Sequence, residues 1–199
     1  MNPNKRLLSL DILRGITVAG MILVNNTGKC GYNFAMCTHA RWDGFTPADL
    51  VFPMFMFLMG ISTYISLRKY SFQCRLAIKK IVKRSLLLIF IGVAMEWLIT
   101  AIDSGNCSDL SQLRLMGVMQ RLGICYGITA LLAVTIPHKR FMPLALCFLA
   151  VYLIIQFLGN GFEKSAQNII GIIDSAVLGA NHVYLQGRQF VDPEGILST

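Results

Sequence analysis

Residues 50–67 read LVFPMFMFLMGISTYISL and contain no charged side chain. A second uncharged stretch, residues 141–162, reads FMPLALCFLAVYLIIQFLGNGF. A helix needs roughly 20 apolar residues to cross a hydrocarbon layer about 30 Å thick, and both stretches approach or exceed that length. Because unpaired backbone amides are not tolerated in lipid, such stretches form helices packed against one another. The two stretches therefore predict an all-α integral membrane protein.

Three further segments predict membrane helices once polar positions are allowed within them. These segments, residues 12–25, 85–102 and 122–136, contain few charges, such as Arg14 in the first and Glu96 in the second. We therefore expect a single membrane domain over the whole chain. Its predicted parts are a polytopic bundle of five transmembrane helices followed by an outward loop, at about residues 8–26, 50–67, 85–102, 117–136, 141–158 and, for the loop, 159–199.

The composition and the distribution of charge agree with a membrane protein. Of all residues 55% are hydrophobic and 14% are charged, whereas a soluble domain has about 25% charged residues. The net charge of +8 does not indicate nucleic-acid binding, because the basic residues are concentrated in alternate loops. By the positive-inside rule those loops and the N-terminus are predicted to be cytoplasmic. The residues concerned are Lys5, Arg6, Arg68, Lys69, Arg75, Lys79, Lys80, Lys83, Arg84, Lys139 and Arg140.

The loop between the first two predicted helices faces outward in this topology and has the composition of a site. Its end has the pattern of a helix start, since Thr46 supplies a capping hydroxyl and Pro47 suits the first helical position. Asp49 then places a carboxylate at the positive end of the helix dipole, so its simplest interpretation is a cap. Trp42 is interpreted as an interfacial anchor. His39 is either a surface residue or a catalyst.

Four motifs resemble one family of membrane enzymes. They are residues 9–15 (SLDILRG), 24–25 (VN), 39–53 (HARWDGFTPADLVFP) and 117–126 (GVMQRLGICY). Together and in this order they resemble the catalytic domain of the heparan-alpha-glucosaminide N-acetyltransferase family, and the resemblance covers nearly all of the chain. In that family a polytopic enzyme takes acetyl from cytoplasmic acetyl-CoA and passes it to a glucosamine amine across the membrane. The resemblance implies an acetyl-CoA-dependent N-acetyltransferase with an amino-sugar acceptor.

The resemblance also implies roles for individual residues. The family's active histidine matches His39, which acts either as general base or as the nucleophile that accepts acetyl. The family's asparagine after the first helix resembles Asn25, which either donates to the acetyl oxygen or ends the first helix. Substrate binding is expected at Asp43, Asp49, Gln120 and Arg121, and coenzyme A binding at Arg14. No metal is predicted, because the sequence has no zinc-spaced set of Cys and His.

Several alternatives stay open at the level of sequence. His182 is a rival base. Glu96 and Arg121, predicted at similar depth below the outer surface, either pair or line a polar tunnel. The basic run at residues 68–84 holds coenzyme A phosphates, holds anionic lipid, or only sets the topology. A disulfide between Cys30 and Cys37 is also open.

The leading hypothesis is a membrane N-acetyltransferase, and the alternative from another class is half of a transporter or channel lined by polar groups. Family members continue beyond a segment similar to residues 192–199 with roughly as many helices again. We therefore expect this chain to correspond to the amino-terminal half of that architecture, as a piece or as a shortened, inactive relative. The expected partners are acetyl-CoA, an amino sugar and the bilayer, not nucleic acid, with a homo-oligomer left open. The expected location is the bacterial inner (cytoplasmic) membrane.

Overall fold

The computed structural model is helical wherever it has regular structure among the residues described. It describes residues 7–25, 37–40, 44–69, 74–104, 114–163, 165, 167–179, 182 and 195–197. The all-α prediction is confirmed. The chain divides into two compact units, residues 1–71 and 72–199, and each is described by itself. A single membrane domain stays a prediction.

Within the described residues, five helices are long and apolar enough to cross a membrane. They are α1 (Leu8–Asn25), α2 (Pro47–Lys69), α3 (Cys74–Ser104), α4 (Val118–Thr135) and α5 (Phe141–Leu158). The bounds of α1, α4 and α5 match the prediction to within a residue. Helix α2 begins at Pro47, ahead of its uncharged stretch, where its cap residues predict a helix start. Helix α3 begins earlier than its predicted span, because Lys and Arg are good helix formers and the helix extends past its uncharged part.

The first unit is the pair of helices α1 and α2. They pack together at Gly20, where a Cβ would lie in ordinary van der Waals contact with the Val51 side chain, at 3.6 Å. Thr17 is buried and donates its hydroxyl hydrogen to the carbonyl of Arg14 at 2.9 Å. Pro53 lies inside α2 and has no N–H, so the carbonyl of Asp49, four residues earlier, lacks its helical donor.

The second unit is built on the antiparallel pair α3 and α4. Ser85 donates its hydroxyl hydrogen to the carbonyl of Gly123 at 2.7 Å, and further along α3, Gly92 faces Met119, which is earlier in α4. Gly123 packs directly on the backbone of α3, because a Cβ there would lie 3.0 Å from the carbonyl oxygen of Ser85. The Arg84 guanidinium lies over the ring of Tyr126, 5.0 Å from its centroid. Glycines in α4 therefore set the spacing of this pair.

The segment after α5, predicted as loop, contains a further helix, α6 (Ile169–Leu178). Asn168 caps it: its side-chain oxygen accepts from the amide of Ile170 at 2.9 Å, and its amide donates to the carbonyls of Gly161 and Glu163. On α6 itself Asp174 is fully buried and accepts from the amide of Leu197 at 3.3 Å. With ten residues, α6 is too short to cross a bilayer.

Candidate active site

The start of α2 is organised by the carboxylate of Asp49. Its Oδ2 atom accepts a hydrogen bond from the amide of Thr46 at 3.0 Å and another from the Thr46 hydroxyl at 2.8 Å. The amide of Asp49 in turn donates to the carbonyl of Thr46 at 3.0 Å. This arrangement satisfies donors at the helix end and places a negative charge at the positive end of the dipole. The predicted helix start at Thr46 and Pro47 is confirmed.

The same carboxylate holds the ring of His39. Asp49 Oδ1 lies 2.6 Å from His39 Nδ1, while its Oδ2 is used by Thr46 and, at 3.4 Å, by the amide of Ala40. A carboxylate only accepts hydrogen bonds, so Nδ1 carries the proton and donates it. The neutral imidazole then has its lone pair on Nε2. Asp49 thus caps the helix and selects the tautomer of His39.

The ring of His39 is open on its other side. Its side chain is 63% exposed, whereas that of Asp49 is 28% exposed. An imidazole fixed at Nδ1 and accessible at Nε2 has the geometry needed to remove a proton from a bound amine, or to attack a carbonyl carbon. His39 and Asp49 both lie in the first unit, so their contact is local to it.

Asn25 and Arg14 lie on α1 in the same unit. Asn25 is the last residue of α1 and its side chain is exposed. The contact between Gly20 and Val51 joins the end of α1 to the start of α2, so Asn25 lies about 8 Å along α1 from that contact. Arg14 is half-buried and lies further toward the other end of α1. The structure therefore brings Asn25, but not Arg14, to the end of the helix pair that carries His39.

Gln120 and Arg121 lie in the first turn of α4, in the second unit. Gln120 is 2% exposed, and Arg121 is half-buried. Glu96 of α3 approaches Gly117, just before α4, with its Oε1 atom 3.1 Å from the position of a Cβ there. A pair between Glu96 and Arg121 stays a prediction.

The remaining residues considered from the sequence lie partly outside the described part of the chain. Asp43, Trp42 and Cys30 lie outside the described residues, and Cys37 has a free thiol. His182 is half-buried, and its amide donates to the carbonyl of Gly179 at 3.1 Å. Within the ranges that the structure describes, no group of three or more His, Cys, Asp or Glu side chains is arranged to hold a metal ion.

The sequence as a whole matches a known family profile. The profile described as "Heparan-alpha-glucosaminide N-acetyltransferase, catalytic" covers residues 6–183. The chain belongs to this family. The match includes all the candidate site residues, from Arg14 to Arg121, and the family resemblance inferred from the four motifs is confirmed.

Two curated relatives have the same family name, heparan-alpha-glucosaminide N-acetyltransferase. The mouse protein is 31% identical over 247 residues, which include 98% of this chain and 36% of the mouse protein. The human protein is 40% identical over 134 residues, which include 64% of this chain and 19% of the human protein. The chain thus spans about a third of the length of the mouse relative.

Sequence reasoning missed the contact between His39 and Asp49. It assigned Asp49 to capping or to substrate and considered His39 separately. The available signal was that both residues lie in one motif, residues 39–53, in which a loop leads directly into a helix start. A carboxylate in the first turn of a helix has two oxygens. When one oxygen accepts the hydrogen bonds of the cap, the other can accept a hydrogen bond from a side chain of the preceding loop.

Proposed function

We propose that this family member transfers the acetyl group of cytoplasmic acetyl-CoA to the amine of a glucosamine-type sugar on the outer side of the membrane. The observation that carries the proposal is the 2.6 Å contact between His39 Nδ1 and Asp49 Oδ1, in a chain that matches the catalytic family profile. A thioester is a good acyl donor, and an amine attacks it only after losing its proton. An oriented, exposed imidazole supplies the required base.

In the direct form of the reaction, His39 Nε2 removes a proton from the acceptor amine as its nitrogen attacks the thioester carbonyl. The tetrahedral intermediate collapses, the carbon–sulfur bond breaks, and the proton passes from Nε2 to the coenzyme A thiolate. Asp49 stabilises the imidazolium that exists between these steps, since its carboxylate accepts the Nδ1 hydrogen throughout. The products are the acetamide and coenzyme A.

In the two-step form, His39 Nε2 attacks the thioester itself. An acetyl-imidazolium forms as the carbon–sulfur bond breaks and the coenzyme A thiolate leaves. The amine then attacks the acetyl carbon, the bond from that carbon to Nε2 breaks, the neutral imidazole is regenerated, and the proton lost by the amine passes to the thiolate. Asp49 keeps Nδ1 protonated, so acylation takes place on Nε2. Both forms use the same contact, and trapping of acetylated protein in the absence of an acceptor distinguishes them.

Other residues are assigned by the same proposal. Asn25 donates its amide hydrogen to the oxygen of the reacting acetyl group. Asp43, Gln120 and Arg121 contribute to acceptor binding, and Arg14 contributes a positive charge for coenzyme A. The proposed topology has the N-terminus in the cytoplasm, in keeping with the basic loops, and the proposed location is the bacterial inner membrane.

The test uses purified protein reconstituted in sealed vesicles of one orientation. Acetyl-CoA is supplied on the side of the N-terminus and glucosamine on the opposite side, and N-acetylglucosamine is measured. We expect transfer by the wild type and loss of transfer in His39→Ala. His138→Ala is the matched control, since His138 is an exposed histidine in the second unit, and it should retain the rate. Wild-type rates in His39→Ala would exclude the catalytic assignment.

A further inference from the structure

The side-chain amide of Gln120 is buried without a partner. Gln120 is 2% exposed, and among the residues described its Nε2 atom has no hydrogen-bond acceptor. An unpaired buried amide is destabilising, because it has lost its hydrogen bonds to water, and most buried polar groups in folded proteins are satisfied by protein, water or ligand. Gln156 of α5 is a useful contrast, because it is 5% exposed and its amide donates to the Tyr152 hydroxyl at 2.6 Å.

The Gln120 side chain points back toward the start of its own helix. Its Oε1 atom lies 3.0 Å from the position of a Cβ on Gly117, the residue before α4, and 2.6 Å from that of a Cβ on Gly92 of α3. Gly117 has no side chain to cap α4, so the first amides of the helix have no side-chain acceptor from that position. The two glycines leave room for the carboxamide between the helices.

A carboxylate faces the same point from α3. Glu96 Oε1 lies 3.1 Å from the Cβ position of Gly117, so the polar groups of Glu96 and Gln120 are neighbours. One oxygen atom at ordinary hydrogen-bond distances bridges groups up to about 6 Å apart. The Gln120 carboxamide, which carries the unpaired Nε2 atom, and the Glu96 carboxylate therefore lie beside the same glycine at the start of α4.

We propose that Gln120 and Glu96 form a hydroxyl-binding site, and that its ligand is a polyhydroxylated sugar. A hydroxyl oxygen accepts from Gln120 Nε2, and the hydroxyl hydrogen is donated to Glu96. The negative charge of Glu96 repels an anion. An ammonium group has no lone pair, so it cannot accept a hydrogen bond from Gln120 Nε2. The choice of an amino sugar as the ligand rests on the proposed function, whereas the hydroxyl chemistry rests only on the second unit.

The test measures binding of D-glucosamine to the purified protein from the rise in its unfolding temperature with sugar concentration. We expect Gln120→Leu to weaken binding about tenfold or more. It should leave the sugar-free protein equally stable or more stable, because it removes an unpaired amide. Gln156→Leu is the matched control: it breaks the hydrogen bond to Tyr152, lowers the unfolding temperature, and retains the affinity for glucosamine.

Two further variants test the role of the Glu96 carboxylate and of the space at Gly117. Glu96→Gln should weaken glucosamine binding about tenfold through loss of a charge-assisted hydrogen bond. Gly117→Ala places a methyl group between the two polar groups and should weaken binding as well. Methylammonium, a cation without hydroxyl groups, should produce no shift in the wild type.

The outcomes separate this inference from the proposed function. The rise in unfolding temperature with glucosamine is measured without acetyl-CoA, so it reports binding whether or not the protein transfers acetyl. Binding in a protein that never transfers acetyl would remove the proposed function and keep the hydroxyl site. Unchanged glucosamine affinity in Gln120→Leu, or the absence of any glucosamine shift in the wild type, would overturn the inference.

Discussion

His39 Nδ1 lies 2.6 Å from Asp49 Oδ1, and the other oxygen of the same carboxylate holds Thr46 at the start of α2. One carboxylate therefore connects the beginning of a membrane helix to the imidazole of the preceding loop. Folding of the helix start and orientation of the histidine are parts of one local structure. Because the two oxygens of Asp49 have different partners, variants of Asp49 and of Thr46 separate its contribution to activity from its contribution to stability.

Asp49→Asn should lower the acetyl-transfer rate by about 10²-fold or more. The asparagine amide can present a donor to Nδ1, which favours the tautomer with its hydrogen on Nε2 and removes the lone pair needed there. The transfer assay in vesicles measures this effect, and protein content and unfolding temperature are recorded in parallel. Near-wild-type turnover in a folded Asp49→Asn protein would contradict the orienting role.

Thr46→Ala is the matched control for that experiment. It removes the 2.8 Å hydrogen bond to Asp49 Oδ2 and leaves the contact between Asp49 and His39. We expect a loss of about 1 kcal/mol in stability, which is typical for a lost cap, with most of the activity kept. A parallel loss of activity in both variants would mean that helix capping, not the imidazole, controls turnover.

Asn25→Ala should reduce turnover by about 10²-fold, because its amide is proposed to donate to the reacting acetyl oxygen. Its effect on stability should be small, since Asn25 is an exposed residue at the end of α1. Steady-state rates and unfolding temperatures measured on the same preparations test this. A small loss of rate together with a loss of stability of the size of a helix cap would assign Asn25 to ending α1.

The topology is tested by cysteine labelling in a variant without native cysteines. Glu163→Cys and Lys79→Cys introduce thiols at two exposed positions that the positive-inside rule assigns to opposite sides. An impermeant maleimide added to intact cells should label position 163 and miss position 79 until the membrane is opened. Labelling of position 79 alone in intact cells would reverse the orientation.

Gly123→Ala should destabilise the α3–α4 pair by about 1–3 kcal/mol, the cost of overpacking. The new methyl would lie 2.7 Å from an Ile89 side-chain carbon and 3.0 Å from the Ser85 carbonyl oxygen, and the backbone atom cannot move aside. Gly60→Ala is the control, because no other atom lies within 4 Å of a Cβ there and alanine favours the helix by up to about 1 kcal/mol. Unfolding in detergent compares the two, and equal stabilities would contradict glycine-mediated packing.

The membrane helices were predictable because their signal is local. A run without charges such as residues 141–162 identifies a span whatever its neighbours are. Helix α6 lacked that signal, because ten residues that include Asp174 do not suffice for a span. Asn168 followed by an apolar run was the available indication, since it is the pattern of a capped helix start.

The chemistry of the site was only partly predictable. His39 was found through its motif, but its contact with Asp49 depends on the path of the intervening loop, which composition does not describe. Burial of Gln120 without a partner depends on the close approach of α3 at Gly92, a long-range feature. Sequence motifs identified the reactive side chains, whereas the packing determines which atom of each side chain is available for hydrogen bonding.

Pro53 separates the first turn of α2, which contains Asp49, from the rest of the helix. Because the carbonyl of Asp49 lacks its helical donor, the first turn of α2 has one fewer bond to the rest of the helix. Asp49, which holds the imidazole of His39, lies in that turn. The contact that orients His39 is thus on the N-terminal side of the proline, apart from the longer part of α2 that follows it.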